Sequence, residues 1–302
     1  MENSMHASVI HHPSRHESKQ HGSSRFPYIV YHGVIPHFLH GYPLHWHDEM
    51  EIIYITDGSC TITIEQAIYQ ACAGDIFPVL PDMLHSIEKS GSAECTYFNF
   101  VFNLHLLESG SSGDLCFSRY LQPYLDGRSS LPHRIPANSP AGCALRPHLD
   151  LLAEKRREQN NETQLLIKGR LFEIFWILSD LRITGTGNGE NNIHSIQSKK
   201  MKELLQFLHS NFTRQVTVQE AADFCGYSTS YFMRFFKSFT GSTFITYLNT
   251  CRLQKAEELL LTSQYSVLEI SGMSGFENHS YFIRLFKRCY GITPCQYRLM
   301  HA

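Results

Sequence analysis

A pattern in the last hundred residues returns at a nearly constant offset, and it limits what this part of the chain can fold into. Val218-Gln219-Glu220 recurs as Val267-Leu268-Glu269, and Gly226-Tyr227 as Gly275-Phe276, each 49 residues later. Tyr231-Phe232, Arg234, Phe236-Lys237, Gly241, Thr243 and Tyr247 recur 50 residues later as Tyr281-Phe282, Arg284, Phe286-Lys287, Gly291, Thr293 and Tyr297. The segment is therefore two copies of one unit, and the second turn is one residue longer. Such self-similarity is the mark of a repeated supersecondary structure.

Each copy has the grammar of a helix-turn-helix, over about residues 216–239 and 265–289. In the first, Val218–Phe224 forms a short helix in which Ala222 precedes Gly226 by four positions. The small residue lets two helices approach, and the glycine supplies the backbone freedom of a sharp turn. Ser228 caps a second helix whose Phe232, Phe235, Phe236 and Phe239 form an apolar stripe at i, i+3, i+4 and i+7. That stripe is core. The opposite face carries Thr229, Ser230, Met233, Arg234 and Lys237. In the second copy Ser271 takes the place of Ala222, while Phe282, Leu285 and Phe286 face inward. His279, Ser280, Ile283, Arg284 and Lys287 are left outward. Between the copies Phe244–Thr262 reads as an uninterrupted helix. If it sets the units roughly 34 Å apart, both second helices enter successive major grooves of double-stranded DNA.

Charge agrees with that reading. The chain has a net charge of −2, yet residues 199–302 hold 12 Lys/Arg and 7 Asp/Glu, leaving 14 basic and 21 acidic groups before them. A basic end on an acidic body suits nucleic-acid binding by that end alone. Arg234 and Arg284 are expected to reach bases or phosphates, the alternative being ion pairs on the helix surface. Lys237 and Lys287 are expected on phosphate.

Residues 199–299 resemble the DNA-binding domain of AraC/XylS-type regulators. They include the signature G-F-x-x-x-S-Y-F-x-R-x-F-K-x-x-x-G-x-T-P-x-x-Y-R as Gly275–Arg298. The resemblance implies base contacts from Ser230, Met233 and Arg234, and from His279, Ser280, Ile283 and Arg284. Two features depart from the pattern. Ser271 and Gly272 stand where the family has alanine and a larger residue, and Ser230 and Ile283 are short or apolar. The second unit is therefore expected to be the looser one.

The first two thirds of the chain read differently. Residues 1–25 are polar, with His6, His11, His12, His16 and His21, and are expected to be a disordered tail. Residues 26–137 read as a β-barrel: Met50–Thr56 is β-branched and aromatic, Asp57-Gly58 signals a turn, and Cys60–Ile64 and Glu94–Phe102 alternate. Residues 138–183 read as packing or dimerisation helices, with Glu162–Arg182 rich in apolar side chains. Residues 184–196 read as a flexible linker, and 197–302 as the DNA-binding domain. The fold class is α+β multidomain: a cupin-like barrel with helices, then an all-α domain of two helix-turn-helix units joined by a long helix.

His45, His47, Glu51 and Gly58 match the first cupin motif, H-x-H-x-x-x-E-x6-G. Gly74, Pro81 and His85 represent the second, with Met83 and Lys89 in place of its glycine and asparagine. Histidines two apart on a strand share a face. With Glu51 and His85 they form a set able to hold a divalent metal such as Zn, Fe or Mn. The other reading makes all four effector-binding residues that hydrogen-bond a ligand or one another. The altered second motif and the family's metal-free sensors favour the latter, so no metal cofactor is expected.

The expected function is a transcription regulator with a sugar-like effector in the barrel, acting as a homodimer, and not an enzyme. The alternatives are a metal-dependent cupin enzyme with an accessory DNA-binding module, and a constitutive DNA-binding protein. No apolar run approaches the roughly 18–20 residues of a membrane span, so no membrane partner is expected. The nine cysteines, without a C-x-x-C pair, read as reduced thiols of a cytoplasmic protein.

Overall fold

A computed structural model describes residues 21–35, 41–91, 94–110, 113–158, 160–184 and 189–301. Residues 1–20 of the expected tail lie outside these. His21, inside the expected tail, is instead buried, with its ring against His47 and its Nδ1 3.1 Å from the Tyr31 hydroxyl. The chain divides into two compact units, the first mostly residues up to Lys199 and the second mostly from Lys200 on.

The first unit is built on a seven-stranded sheet ordered β1-β7-β3-β6-β2, with β4 and β5 also paired to β3. The strands are β1 (Tyr28–Ile35), β2 (Gly41–His45), β3 (Met50–Ile64), β4 (Ala67–Cys72), β5 (Ile76–Val79), β6 (His85–Lys89) and β7 (Cys95–Phe102). β3 organises the rest. Its first half pairs with β5 and β7, and its second half with β4 and β6. Asp57-Gly58, expected as a turn, is a bulge inside this one 15-residue strand, where the register to β7 slips. Gly58 has φ +73°, and a Cβ there would lie 1.8 Å from the Glu94 carbonyl oxygen. Only glycine fits, and the bulge bends the strand so that the sheet curls.

Alternation along β3 sorts its side chains between two cores. Met50, Ile52 and Tyr54 join Phe100 and Phe102 and pack on helices. Ile53, Ile55, Ile62 and Ile64 join Phe77, Val79 and Ile87 in a second core. The helices are α1 (Gln122–Leu125), α2 (Pro140–Glu154) and α3 (Asn161–Ser179). Ser139 caps α2 with Pro140 at its first position, and Asn160 caps α3 by accepting from the Thr163 amide. Part of the segment expected as β-structure is helical: a 3-10 turn at Leu104–Leu107, a π turn at Phe117–Leu121, then α1. Phe117, Leu121 and Tyr124 recur at helical spacing and bury one face.

The second half of the expected linker is also helical. Residues 189–196 open α4 (Gly189–Asn211), while 185–188 lie outside the described residues. No proline interrupts that stretch, and extending an existing helix adds one hydrogen bond per residue fixed.

From Lys200 on, the unit is helical among the described residues: α5 (Val218–Cys225), α6 (Thr229–Thr240), α7 (Phe244–Thr262), α8 (Val267–Met273), α9 (His279–Tyr290) and α10 (Pro294–His301). The duplication holds in three dimensions. Thr217 and Ser266 cap the first helices, the latter in a capping box with Glu269. Ser228 and Asn278 cap the second helices, and the additional residue sits in the turn before Asn278. Phe232, Phe236, Phe282 and Phe286 are fully buried.

The expected looseness of the second copy has a physical counterpart. Ser271, which replaces the buried Ala222, is itself buried and its hydroxyl has no hydrogen-bond partner; Ser274 is in the same state. A buried polar group left unpaired costs about 1–3 kcal/mol. A Cβ on Gly272 would meet nothing within 4 Å, so its helix tolerates alanine sterically. Ser271→Ala is therefore expected to raise stability by about 1 kcal/mol, and Gly272→Ala by about 0.5–1 kcal/mol. Urea unfolding of the full chain measures both. Destabilisation by Ser271→Ala would contradict the reading.

Candidate DNA-binding interface and buried histidine cluster

The outward faces of α6 and α9 match at equivalent positions. Ser230, Met233, Arg234 and Lys237 are exposed on α6, and Ser280, Arg284 and Lys287 on α9. Among the described residues no ion pair or hydrogen bond ties Arg234 or Arg284. Both guanidinium groups stay available for phosphate oxygens or guanine edges. Each helix ends in a left-handed glycine, Gly241 or Gly291, one turn past its lysine.

Three residues expected on this face are less open. Thr229 is half-buried, and its hydroxyl donates to Gln219 Oε1 at 3.0 Å, linking α6 to α5. His279 is half-buried, with its ring near Phe282. Ile283 packs partly against the core of its own repeat, beside Phe282 and Phe286. Sequence reasoning also passed over Tyr231, Tyr281 and Arg288, which are exposed beside these residues. Tyr231 and Tyr281 occupy one repeat position, and that equivalence was the signal available. The Tyr281 hydroxyl accepts from Asn249 at 3.0 Å, which fixes α9 against α7.

In the first unit, the curled sheet brings together all four residues predicted for its site. His45 ends β2, His47 follows it, Glu51 is the second residue of β3, and His85 opens β6. Glu51 falls on the same side of β3 as Ile53 and Ile55, so alternation carries a carboxylate onto the face of the second core. All four are buried, and one nitrogen or oxygen of each lies within 4.8 Å of the others. His47 Nε2 and His85 Nε2 each stand 3.0 Å from Glu51 Oε2. The His45 and His85 rings are 4.0 Å apart between centroids. Burial pushes the Glu51 carboxyl up, but the two imidazoles beside it outweigh this and hold it well below the usual range. Its other oxygen, Oε1, is buried without a hydrogen-bond partner.

A curled sheet with a buried polar cluster and a duplicated helix-turn-helix with two exposed basic faces define a DNA-binding protein with a separate sheet domain. Comparison with known proteins agrees. The family model described as helix-turn-helix domain matches residues 221–300, and that described as AraC-like ligand binding domain matches residues 36–175. The chain is 26% identical over 287 residues to the uncharacterized HTH-type transcriptional regulator YdeC of Bacillus subtilis, covering 95% of this chain and 96% of that one. It is 33% identical over 98 residues to the transposon Tn10 TetD protein of Escherichia coli, 32% of this chain and 71% of that protein. Among solved structures it is similar to the DNA-binding domain of AdpA in complex with a target DNA. The identity there is 32%, over 34% of this chain and 92% of that one, with a TM-score of 0.33. The chain belongs to the AraC family of helix-turn-helix transcription regulators, with an AraC-like ligand-binding domain. No helix among the described residues is long and apolar enough to cross a membrane.

Proposed function

We propose that this regulator reads its operator through Ser230, Met233 and Arg234 on α6 and Ser280, Ile283 and Arg284 on α9. Lys237 and Lys287 hold the flanking phosphates, while Thr229 and His279 contribute from the helix N-termini. The carrying observation is the pair of exposed, untied arginines at the same position of both copies. Phosphate contacts make affinity fall with salt, and each lost contact removes close to one unit of the slope of log K against log salt. Lys237→Ala should therefore flatten that slope without changing sequence preference. Fluorescence anisotropy on a duplex selected from a random pool measures it, and an unchanged slope would count against the phosphate assignment.

In the same reading a small hydroxylated effector of sugar type enters the ligand-binding domain and meets His45, His47, Glu51 and His85. Imidazole and carboxylate atoms suit hydroxyl groups, which both donate and accept. The protein works in the cytoplasm, where its nine cysteines, none of them in a disulfide, stay reduced.

It acts as a homodimer through α3. That helix is apolar on two faces. Leu171, Phe175 and Leu178 enter the core, while Leu165 and Trp176 are 76% and 74% exposed and Phe172 lies between them, 39% exposed. With Gly169 these form a seam at spacings of four, three and four, as helix pairs use. A Cβ on Gly169 would meet no neighbouring element within 4 Å, which leaves room for a partner helix. The apolar surface continues beside Trp176 into a concavity of about 570 Å³ lined by Pro132, Ile135 and Leu181. A second copy covers such a self-complementary stripe by two-fold symmetry. Trp176→Glu should convert dimer to monomer in light scattering, and a chain already monomeric at micromolar concentration would sink the assignment.

A further inference from the structure

The connecting helix carries one charged side chain that touches both copies. Met201, Leu204 and Leu208 of α4 recur 52 residues later as Leu253, Ala256 and Leu260 of α7, all of them buried. Each helix-turn-helix is therefore preceded by an equivalent helix, and at this offset Lys200 corresponds to Arg252. The Lys200 ammonium donates to the Cys225 carbonyl oxygen at 2.8 Å and lies 4.5 Å from the centre of the Tyr227 ring. Both partners belong to the first copy. Arg252 lies over the matching ring of the second copy, Phe276, 5.9 Å from its centre. Its donors point back toward the first copy instead. Nε donates to the Phe212 carbonyl oxygen at 2.8 Å, and Nη2 to that of Arg214 at 2.9 Å. A lysine offers one compact charge, whereas an arginine offers a planar fork and a face that stacks.

The turn that accepts this fork is anchored to the first copy. Arg214 pairs with Glu220 of α5 at 2.6 Å and donates to Asn211, at the end of α4, at 2.9 Å. The two copies also meet backbone to backbone here. Gly275, in the turn of the second copy, has φ +86°. A Cβ there would lie 2.7 Å from the Phe212 carbonyl oxygen and 2.8 Å from Thr213 Cα. A Cβ on its counterpart Gly226 would approach only Lys200 Nζ, at 3.9 Å. The close approach therefore belongs to the junction between the copies and not to the repeated unit.

We propose that Arg252 sets the spacing and phase of the two reading helices, and with them the half-site separation that the protein accepts on DNA. Apolar packing by Leu253, Ala256 and Leu260 is non-directional and lets the second copy roll against α7. A guanidinium fork on two carbonyl oxygens fixes an angle as well as a distance. One base pair added between half-sites moves the second by about 3.4 Å and turns it by roughly 34–36°. A junction held by a fork and a backbone contact does not follow that displacement, so simultaneous engagement of both helices is lost. Arg252 is thus a positioning residue that acts through α9, its own donors being committed to Phe212 and Arg214. The inference rests on reading α6 and α9 as the DNA-reading helices, but it makes a separate claim about what fixes their separation.

The test uses the full chain and a series of duplexes with base pairs added or removed, one at a time, between the two segments protected on a selected duplex. The wild type is expected to lose about tenfold or more in affinity at one base pair in either direction. Arg252→Lys keeps the charge but loses the fork, and lysine already occupies the matching helix position as Lys200. It should bind the original duplex within about threefold of the wild type, and lose no more than about threefold at one base pair either way. Arg252→Gln should show the same flattened profile without the charge, and circular dichroism verifies that both variants keep their helices. An affinity loss equal at every spacing marks a purely structural role and overturns the proposal. So does a variant profile as steep as that of the wild type. A flat wild-type profile with two protected segments overturns the interlock and leaves the two-helix reading standing, whereas a single protected segment overturns both.

Discussion

Arg234→Ala is expected to weaken operator binding by about 1–3 kcal/mol, the range for a bidentate side-chain contact with a base, and by more than Arg284→Ala does. Both arginines are exposed and untied, so neither substitution disturbs an internal contact. The difference lies in their platforms. α6 stands on a unit whose Ala221 and Ala222 pack with no exposure, and its cap, glycine turn and core are all in place. α9 stands on a unit with two buried, unpartnered serine hydroxyls and a glycine in its supporting helix. A reading helix on a less stable support spends more of its binding energy on being ordered. Anisotropy titrations of the two variants on one duplex measure the ranking. Equal losses would mean that both copies read DNA alike.

Phe236→Ala is expected to cost about 3–5 kcal/mol of stability, as large-to-small changes of buried aromatics do. The ring is fully buried and packs edge-on against Phe244 and Tyr247, with Phe232 5.7 Å away between centroids. It therefore joins α6 to the connecting helix α7. Domains have only about 5–15 kcal/mol in total, so such a loss leaves the first copy largely unfolded at modest urea concentration. Met233→Ala, one turn away on the exposed face, should change stability by less than about 0.5 kcal/mol. Urea unfolding followed by far-ultraviolet circular dichroism distinguishes the two. A similar cost for both would contradict the division of α6 into a core face and a reading face.

That division was legible in the sequence because its causes are local. Caps at Ser228 and Thr243, glycines at 226 and 241 and the phenylalanine stripe each act within one or two helical turns, and duplication printed the pattern twice. The half-burial of Thr229, His279 and Ile283 was not legible. It depends on helix rotation by a fraction of a turn, which the packing of α5 decides for α6 and that of α7 and α8 for α9. Asp57-Gly58 misled for a similar reason. The dipeptide favours a turn locally, but pairing of Cys95 and Thr96 across the ladder keeps the strand running through a bulge. The short turns between Leu104 and Leu125 were hidden because each is only four or five residues long, too short for a helical period to stand out. At the histidine cluster, identities and spacing revealed which residues meet. That two Nδ1 atoms face carbonyls and two Nε2 atoms face one carboxylate oxygen follows from how β2, β3 and β6 meet, which no local spacing encodes.

The central claim is that both recognition helices read one face of the same duplex. Hydroxyl-radical and methylation footprinting of the full chain on a selected duplex tests it directly. Two protected major-groove segments are expected for each protein chain, with centres about 10 base pairs apart on one face. A single protected segment per chain, or two on opposite faces, would contradict it.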